Sequence, residues 1–345
     1  MKKIPQDIIG DIAILKFPRK TLLIIKKLKA KKFLKTNKNV KTVLEKTSKT
    51  KGRLRKQETK YLAGKKTKTA NYKENNCIFK FNVEETYFSP RLSNERKMIA
   101  EEVLKIIKKD KSLSPVTSNV GAGVSEANGA NTRNSKRPRN GETWKNKKFN
   151  ILILFAGISP YPIVLAKLLK SKNIHFHIYS NELNKKANES AKENIKLNKL
   201  ENYITLIPGD AKKIPEITTK EKLFAKKKLA EKVTRGKTEG FSDEMGGGER
   251  QTWINNKATT GRQEIPKKFD TIIMPRPNLK ETFLPPTLKL AKKGTTIFYH
   301  GFGTKEKVLK EIKNSVGNKI KNLKIRKAGD IAPRIFRWQV EFQVK

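Results

Sequence analysis

A small-residue turn and two carboxylates follow three successive strand-like runs in the second half of the chain. The turn is Phe155-Ala156-Gly157, the first carboxylate belongs to Glu182, and the second belongs to Asp210. In a parallel sheet covered by helices, ligands bind beyond the carboxyl ends of the strands, so these residues would meet at one edge. An acid at the end of the second strand can accept hydrogen bonds from both hydroxyls of a ribose. The order of the three features therefore predicts a nucleoside site.

The composition of this turn narrows the class of ligand. A dinucleotide site uses several glycines so that the backbone can approach a pyrophosphate, whereas this turn holds one. NAD is therefore disfavoured, and a ligand without phosphate, such as a methionine-derived sulfonium, fits better. Leu183 and Ala211, which follow the two acids, would contact the same ligand. The competing interpretation is that Glu182 and Asp210 are ordinary solvated strand ends.

The charge of the chain indicates the class of partner. Lysine and arginine total 79 against 32 aspartate and glutamate, a formal net charge of +47. This balance excludes a generic neutral metabolic enzyme and predicts a polyanion as partner. Apolar runs of membrane-spanning length are absent, so we expect a cytoplasmic protein. The single cysteine, Cys77, reads as a small core residue, and three histidines without recognised spacing predict no metal site.

Shifts in composition divide the chain. We predict a basic α+β domain at 1–111, a flexible linker or insertion at 112–148, and an α/β domain at 149–345 with a polar insertion at about 218–268. From Phe149 onward, strand-like and helical runs alternate, which is typical of a mostly parallel sheet with helices on both faces. The predicted strands are 151–155, 175–180, 203–208, 271–274 and 295–300, and the predicted helices are 163–170, 186–197, 282–291 and 305–316. In the first domain the strand-like runs are 8–17 and 77–83, and an amphipathic helix is predicted at 94–107.

Several segments resemble one family. They are 9–15, 40–43, 87–96, 155–157, 194–198 and 332–334, and the most specific is Tyr87-Phe88-Ser89-Pro90-Arg91-Leu92-Ser93-Asn94-Glu95-Arg96. The chain resembles the archaeal and eukaryotic type tRNA methyltransferases that modify N1 of guanine 37, together with their wybutosine-pathway relatives. The resemblance implies a Rossmann-like domain that binds S-adenosylmethionine (SAM), behind a smaller RNA-positioning domain at 1–111, with tRNA as partner. We expect a monomer.

The resemblance also implies roles on the substrate side of the site. Guanine N1 carries a proton that must leave, so the reaction needs a general base and a cation near O6. By resemblance Glu95 is the base, Arg55 stabilises the charge on O6, and Tyr87 holds the guanine. Arg91 and Arg96 would contact phosphate or orient the carboxylate of Glu95. Without the resemblance, Glu95 and Arg96 read as the charged first turn of a helix.

The chain departs from the family pattern at three places. Ile153 and Ser159 stand where the family has an aspartate and a second glycine, and Pro275-Arg276-Pro277 replaces Asn-Leu-Pro after the fourth strand. By resemblance Pro275 contacts the cofactor and Pro277 the substrate. These departures keep two other hypotheses open. One is a wyosine-pathway enzyme that transfers a methyl or aminocarboxypropyl group to the same tRNA position, and the other is a non-catalytic RNA-binding protein on a methyltransferase scaffold.

A basic, tyrosine-containing stretch of the first domain predicts a surface that follows an RNA backbone. Its residues are Arg53, Arg55, Lys56, Lys60, Lys65, Lys66 and Lys68, with Tyr61 and Tyr72 as stacking platforms. For any single lysine, the simpler interpretation is a solvated charge that keeps the protein soluble.

Overall fold

A computed structural model describes residues 4–48, 52, 54–110, 148–218, 265–279, 281–332 and 334–345. The predicted linker at 112–148 lies outside these residues except for its last position, and so does almost all of the predicted insertion at 218–268. The domain boundaries therefore stay predictions. No helix in the described ranges combines the length and the apolar character that a membrane crossing requires.

The chain begins with a small four-stranded sheet. Its elements are β1 (Gln6–Ile9), β2 (Ile12–Leu15), α1 (Leu23–Thr36), β3 (Thr42–Lys46) and β4 (Thr59–Gly64). The strand order is β1-β2-β3-β4, with β2 and β3 parallel because α1 connects them as a crossover. The predicted run 8–17 is broken at Gly10, whose φ of 57° and close approach to the backbone of Asn71 leave no room for a side chain.

A hairpin and a long helix follow. They are β5 (Thr69–Glu74), β6 (Cys77–Asn82) and α2 (Ser93–Lys109). On β6, Cys77, Phe79 and Phe81 are buried in alternation with exposed residues, as a half-buried strand requires, and the prediction of Cys77 as a core residue is confirmed. The predicted helix 94–107 lies within α2, which buries Ile99, Val103 and Ile107 along one face.

The second half of the chain forms a seven-stranded sheet. Its strands are β7 (Phe149–Ile153), β8 (Phe176–Glu182), β9 (Ile204–Pro208), β10 (Phe269–Met274), β11 (Ala291–Gly303), β12 (Ile320–Ala332) and β13 (Ile335–Val344). Its helices are α3 (Pro160–Ser171), α4 (Lys185–Leu197), α5 (Leu284–Leu288) and α6 (Lys305–Val316). The order is β12-β13-β11-β10-β7-β8-β9, with β7 to β11 parallel and β13 antiparallel to both its neighbours. The predicted α/β fold is confirmed, although β12 and β13 were not foreseen.

The topology fixes where a ligand can enter. The chain passes from β7 to β8 and β9 on one side, and then returns to place β10 on the other side of β7. The connection that leaves the carboxyl end of β7 therefore runs toward β8, while the one that leaves β10 runs the opposite way toward β11, which opens a crevice between the two strand ends.

Two asparagines join the hairpin to the large sheet. Asn198 on the C-terminal side of α4 accepts a hydrogen bond from the backbone nitrogen of Ile78 and donates to its carbonyl oxygen, at 3.0 and 2.7 Å. One helical turn earlier, Asn194 accepts from the backbone nitrogen of Lys80 at 2.7 Å. Residues four apart on a helix face the same side, and residues two apart on a strand share an edge, so the spacings match. The segment 194–198, which the resemblance singled out, is thus a structural connection.

Candidate active site

A pocket opens at the carboxyl ends of β7, β8, β9 and β10, with an empty volume of about 950 Å³ counted to its open mouth. The N-terminal part of the chain supplies one wall, and the seven-stranded sheet supplies the other. Twelve of the fourteen predicted site residues line it, namely Arg55, Tyr87, Arg96, Phe155, Ala156, Gly157, Glu182, Leu183, Asp210, Ala211, Pro275 and Pro277. The two that do not are Glu95 and Arg91.

The turn after β7 is held in a left-handed conformation. Phe155, Gly157 and Ser159 have φ values of 53°, 58° and 64°. Such φ values cost a residue with a side chain about 1–2 kcal/mol, which explains why glycine is favoured at the position that Ser159 occupies. At that position the buried hydroxyl of Ser159 lies 2.9 Å from the hydroxyl of Ser180 on β8. The neighbouring departure, Ile153, is fully buried at the end of β7 and is a core residue.

The carboxylate of Glu182 is fixed by backbone groups. Its Oε2 accepts from the nitrogen of Gly157 and its Oε1 accepts from the nitrogen of Asn184, each at 2.8 Å. Burial raises the pKa of Glu182, while hydrogen bonds from Asn184, Gly157 and Leu183 act in the opposite direction. A carboxylate oxygen has more than one lone pair, so both oxygens can still accept from a ligand hydroxyl.

The loop after β9 is held by a side chain from β8. Asn181 donates from Nδ2 to the carbonyl oxygens of Ile207 and Gly209, at 2.8 and 2.9 Å. Asp210 follows and accepts from the backbone nitrogen of Lys212 at 3.1 Å, which caps a short 3-10 turn. The arrangement places a carboxylate and the start of a helical turn on the same side of the pocket as Glu182.

The opposite wall carries a cation stacked on an aromatic ring. The guanidinium carbon of Arg55 lies 3.5 Å from the centre of the Tyr87 ring. Such a contact stabilises the position of the charge by about 0.5–2 kcal/mol, depending on its exposure to solvent. Both residues line the pocket, so a positive charge and a flat ring face the crevice from the N-terminal part of the chain.

Glu95 lies directly behind this pocket. Leu92, which immediately precedes α2, and Arg96 on α2 line the pocket, but the carboxylate of Glu95 is buried against His300 of β11. Oε1 of Glu95 is 2.6 Å from Nε2 of His300, and neither carboxylate oxygen has a well-aligned hydrogen bond among the described residues. Burial by itself would raise the pKa of Glu95, but His300, Arg326 and Arg337 lower it below its ordinary value.

The two arginines near Glu95 have other partners. Arg96 is buried and forms a two-pronged ion pair with Glu74 of β5, and it also donates to the carbonyl oxygen of Ser89 at 3.2 Å. Arg91 is 81% exposed and pairs with Asp7 of β1 at 2.8 Å. Neither arginine contacts Glu95, so they do not orient its carboxylate. Their contact with a phosphate of the substrate stays a prediction.

The loop that departs from the family pattern is fixed by its central arginine. Pro275 and Pro277 line the pocket, whereas the side chain of Arg276 is buried on the far side. It donates to the carbonyl oxygens of His300, Leu279 and Glu281 and pairs with Glu311 of α6 at 2.6 Å. An arginine that is bonded through all three of its nitrogens holds the loop in one conformation.

Two residues of the site had no sequence signal. Tyr161 on α3 lines the pocket, and its buried hydroxyl has no hydrogen-bond partner among the described residues. Burial, and then Glu95, raise the pKa of that hydroxyl. His300 at the end of a predicted strand is the second, and the sequence assigns it no role because a lone histidine is more often structural.

Some residues of the predicted basic surface are engaged in contacts within the protein. Tyr72 packs edge-to-face on Phe88 with ring centres 4.9 Å apart, so it belongs to the core and is not a stacking platform. Lys68 pairs with Glu84 at 2.7 Å. Tyr61, by contrast, is exposed on β4 beside Lys60.

Comparison with known proteins gives the family. Residues 132–236 match the TRM5/TYW2 methyltransferase domain, and residues 4–67 match the TYW2 N-terminal domain. The chain is 32% identical over 345 residues to the tRNA (guanine(37)-N(1))/4-demethylwyosine(37)-methyltransferase Taw22 of Nanoarchaeum equitans, with 97% of each chain covered. The chain belongs to the TRM5/TYW2 family.

Other TRM5/TYW2 proteins agree with the fold. The chain is 24% identical to the tRNA (guanine(37)-N(1))-methyltransferase Trm5b of Pyrococcus abyssi, covering 98% of this chain and 74% of that one. The crystal structure of that protein superposes with a TM-score of 0.60 over 99% of this chain and 75% of its own. TYW2 of Methanocaldococcus jannaschii, solved with AdoMet, has 20% identity and a TM-score of 0.53, with 99% of this chain and 100% of that one covered. The predicted family and fold class are confirmed.

Proposed function

We propose that this protein methylates N1 of guanine 37 in tRNA, with SAM as the methyl donor. The observation that carries the proposal is the single pocket whose one wall holds Glu182 and whose other wall holds Arg55 stacked on Tyr87. A methyltransferase must bring a nucleoside cofactor and a nucleobase into one cavity, because methyl transfer is a direct displacement that depends on alignment. A tRNA substrate places the protein in the cytoplasm.

The cofactor side fits the chemistry of SAM. Glu182 would accept hydrogen bonds from the ribose hydroxyls, since its carboxylate is already oriented by the backbone of Gly157 and Asn184. Asp210 and Ala211 would contact the adenine, and the turn of Phe155 and Gly157 leaves the backbone accessible to the ligand. When bound, SAM supplies an electrophilic methyl group on a sulfonium.

The substrate side fits a guanine removed from its stack. Enzymes that modify a base inside a folded nucleic acid extrude it into a pocket and hold it against aromatic side chains. Tyr87 supplies such a ring, and Arg55 supplies the positive charge for O6, where negative charge develops as the N1 proton leaves. Pro275 and Pro277 complete the wall on the side of β10.

Proton removal is assigned to Glu95. Among the carboxylates near the pocket, Glu182 and Asp210 accept backbone hydrogen bonds, whereas Glu95 has no well-aligned donor within the described part of the chain. The lowered pKa keeps Glu95 ionised at neutral pH. The N1 proton would pass to the carboxylate of Glu95, and the N1 electron pair would take the methyl group that bound SAM supplies as the bond between that methyl and sulfur breaks.

A second candidate is methylation of a tricyclic wyosine precursor at the same position. The Nanoarchaeum equitans relative carries both guanine-37 and 4-demethylwyosine-37 in its name. Prolines at 275 and 277 also present an apolar surface to the pocket, which a larger ring system would contact.

Transfer of tritium from methyl-labelled SAM to tRNA transcripts tests the proposal. Transcripts with guanine at position 37 should become labelled, and matched transcripts with adenine there should not. Equal labelling of both, or labelling of neither, would contradict it.

A further inference from the structure

Glu95 and His300 form an isolated buried pair. Their side chains are 5% and 3% exposed, and Nε2 of the imidazole lies 2.6 Å from Oε1 of the carboxylate. Glu95 belongs to the first turn of α2 and His300 to the carboxyl half of β11, so the pair joins the N-terminal part of the chain to the large sheet. Burying a carboxylate is costly unless an opposite charge or donor stands beside it, and His300 fills that place.

The groups around the pair include a residue of the pocket wall. Tyr161, in the pocket wall, has a buried hydroxyl without a hydrogen-bond partner among the described residues, and its ring lies 6.2 Å from that of His300. The positive charges that act on Glu95 from other elements are Arg326 on β12 and Arg337 on β13. Arg96 is already committed to Glu74.

The backbone of His300 is fixed independently of its ring. Arg276 donates from Nε to the carbonyl oxygen of His300 at 3.1 Å, and Arg276 is itself held by Glu311. The same arginine sets the loop of Pro275 and Pro277. The position of the imidazole is therefore tied to the loop that forms the pocket wall.

We propose that His300 is a positioning residue that keeps the carboxylate of Glu95 ionised and oriented to take the N1 proton of the target base. This inference rests on the proposed function. It assigns the proton to Glu95, and the imidazole of His300, 2.6 Å from Oε1, acts on that carboxylate without contacting the substrate.

Single-turnover methylation of guanine-37 tRNA over a pH series tests this role. In His300→Ala the carboxylate keeps its buried surroundings but loses its nearest partner, so its pKa rises. At neutral pH the rate should fall about tenfold or more, and the acid limb should move up by about one pH unit or more, with recovery toward the parental rate as the pH rises. For His300→Gln, which retains an N–H donor, the rate and the acid limb should lie between those of the parental protein and His300→Ala. The affinities of both variants for tRNA and SAM should stay within about threefold of the parental values.

His177→Gln is the matched control. His177 is the other buried histidine of the large sheet, and it contacts Thr205 at 2.8 Å near the start of β8, away from the pocket. This variant should leave the pH profile unchanged. A parental profile in both His300 variants would overturn the inference, whereas absence of product with the parental enzyme would instead overturn the proposed function.

Nuclear magnetic resonance of histidine-labelled protein gives a test that does not require His300 variants to fold. The chain has three histidines, so the imidazole signals can be assigned by substitution. Glu95→Gln should change the Nε2 shift of His300, because the contact between the two side chains is altered, while the His177 signal stays fixed. An unchanged His300 signal would overturn the inference.

Discussion

The backbone nitrogen of Gly157 donates a hydrogen bond to Oε2 of Glu182 over 2.8 Å, which ties the turn after β7 to the end of β8. The bond orients the carboxylate before any ligand arrives, and preorganisation of this kind reduces the entropy lost on binding. The turn can make this bond because Gly157 has a φ of 58°, a value that other residues adopt only at a cost.

Replacing Glu182 should weaken SAM binding. Glu182→Ala removes a charge-assisted acceptor from a buried site, so the dissociation constant measured by calorimetry should rise by about 10- to 150-fold, or about 1.5–3 kcal/mol. Glu201→Ala, an exposed acid in the same half of the chain, should leave the constant unchanged. Equal affinities for the parental protein and Glu182→Ala would remove Glu182 from the site.

Substitutions of Glu95 and Arg55 should lower turnover much more than they weaken binding. Glu95→Gln keeps the size of the side chain but cannot accept a proton, so turnover should drop by about 10²–10⁴-fold with tRNA and SAM affinities within a few-fold. Arg55→Ala should cost about 2–4 kcal/mol in the barrier, and the double variant should be less than additive because both residues serve one step. The control is Glu101→Gln, an exposed acid on the same helix. Parental turnover in Glu95→Gln would show that the base lies elsewhere.

The affinity for tRNA should fall steeply with salt. Each phosphate neutralised by a lysine or arginine releases counterions, which lowers the logarithm of the association constant by about 0.9 per decade of salt per contact on a duplex. Fluorescence anisotropy between about 50 and 200 mM salt measures this slope, while SAM affinity serves as the control that should change little. A flat titration would be inconsistent with a chain of net charge +47 that binds RNA.

Loss of the bonds from Asn198 should weaken the attachment of the hairpin to α4. Asn198→Ala leaves the backbone nitrogen and oxygen of Ile78 without partners, which should lower the free energy of unfolding by about 1–3 kcal/mol. Urea denaturation measures the change, and Asn202→Ala at an exposed turn gives the baseline. A midpoint equal to that of Asn202→Ala would mean that the shared apolar core alone holds the hairpin.

The cofactor side of the site could be predicted from sequence because parallel strands bring their carboxyl ends to one edge. Glu182 ends β8, and Gly157 and Asp210 lie in the loops after β7 and β9, so knowing the strands was enough to place them together. The alternation of strands and helices after residue 149 was equally readable, since each element has a distinct apolar period.

Strand β12 and helix α1 had weak sequence patterns. β12 has no residue in the buried class among those described, so it lacks the apolar alternation by which a strand is recognised. On α1 only Ala30 is buried, while Ile24 and Leu28 are exposed among lysines. Tertiary pairing, more than local pattern, determines both elements.

Contacts between distant residues could not be predicted. The pair of Glu95 and His300, and the bonds of Arg276 to Glu311 and to the backbone of His300, join elements far apart in the chain. Arg276 was visible only as a departure from the family pattern, and its contacts show that it holds the loop from the protein interior.

Mass analysis of tRNA nucleosides after incubation with the protein and SAM tests the central claim most directly. The account predicts that unmodified guanine-37 tRNA yields 1-methylguanosine at position 37, and that Glu95→Gln greatly reduces its amount. A nucleoside carrying an aminocarboxypropyl group, a methyl group only on a tricyclic precursor, or no modified nucleoside at all would contradict it.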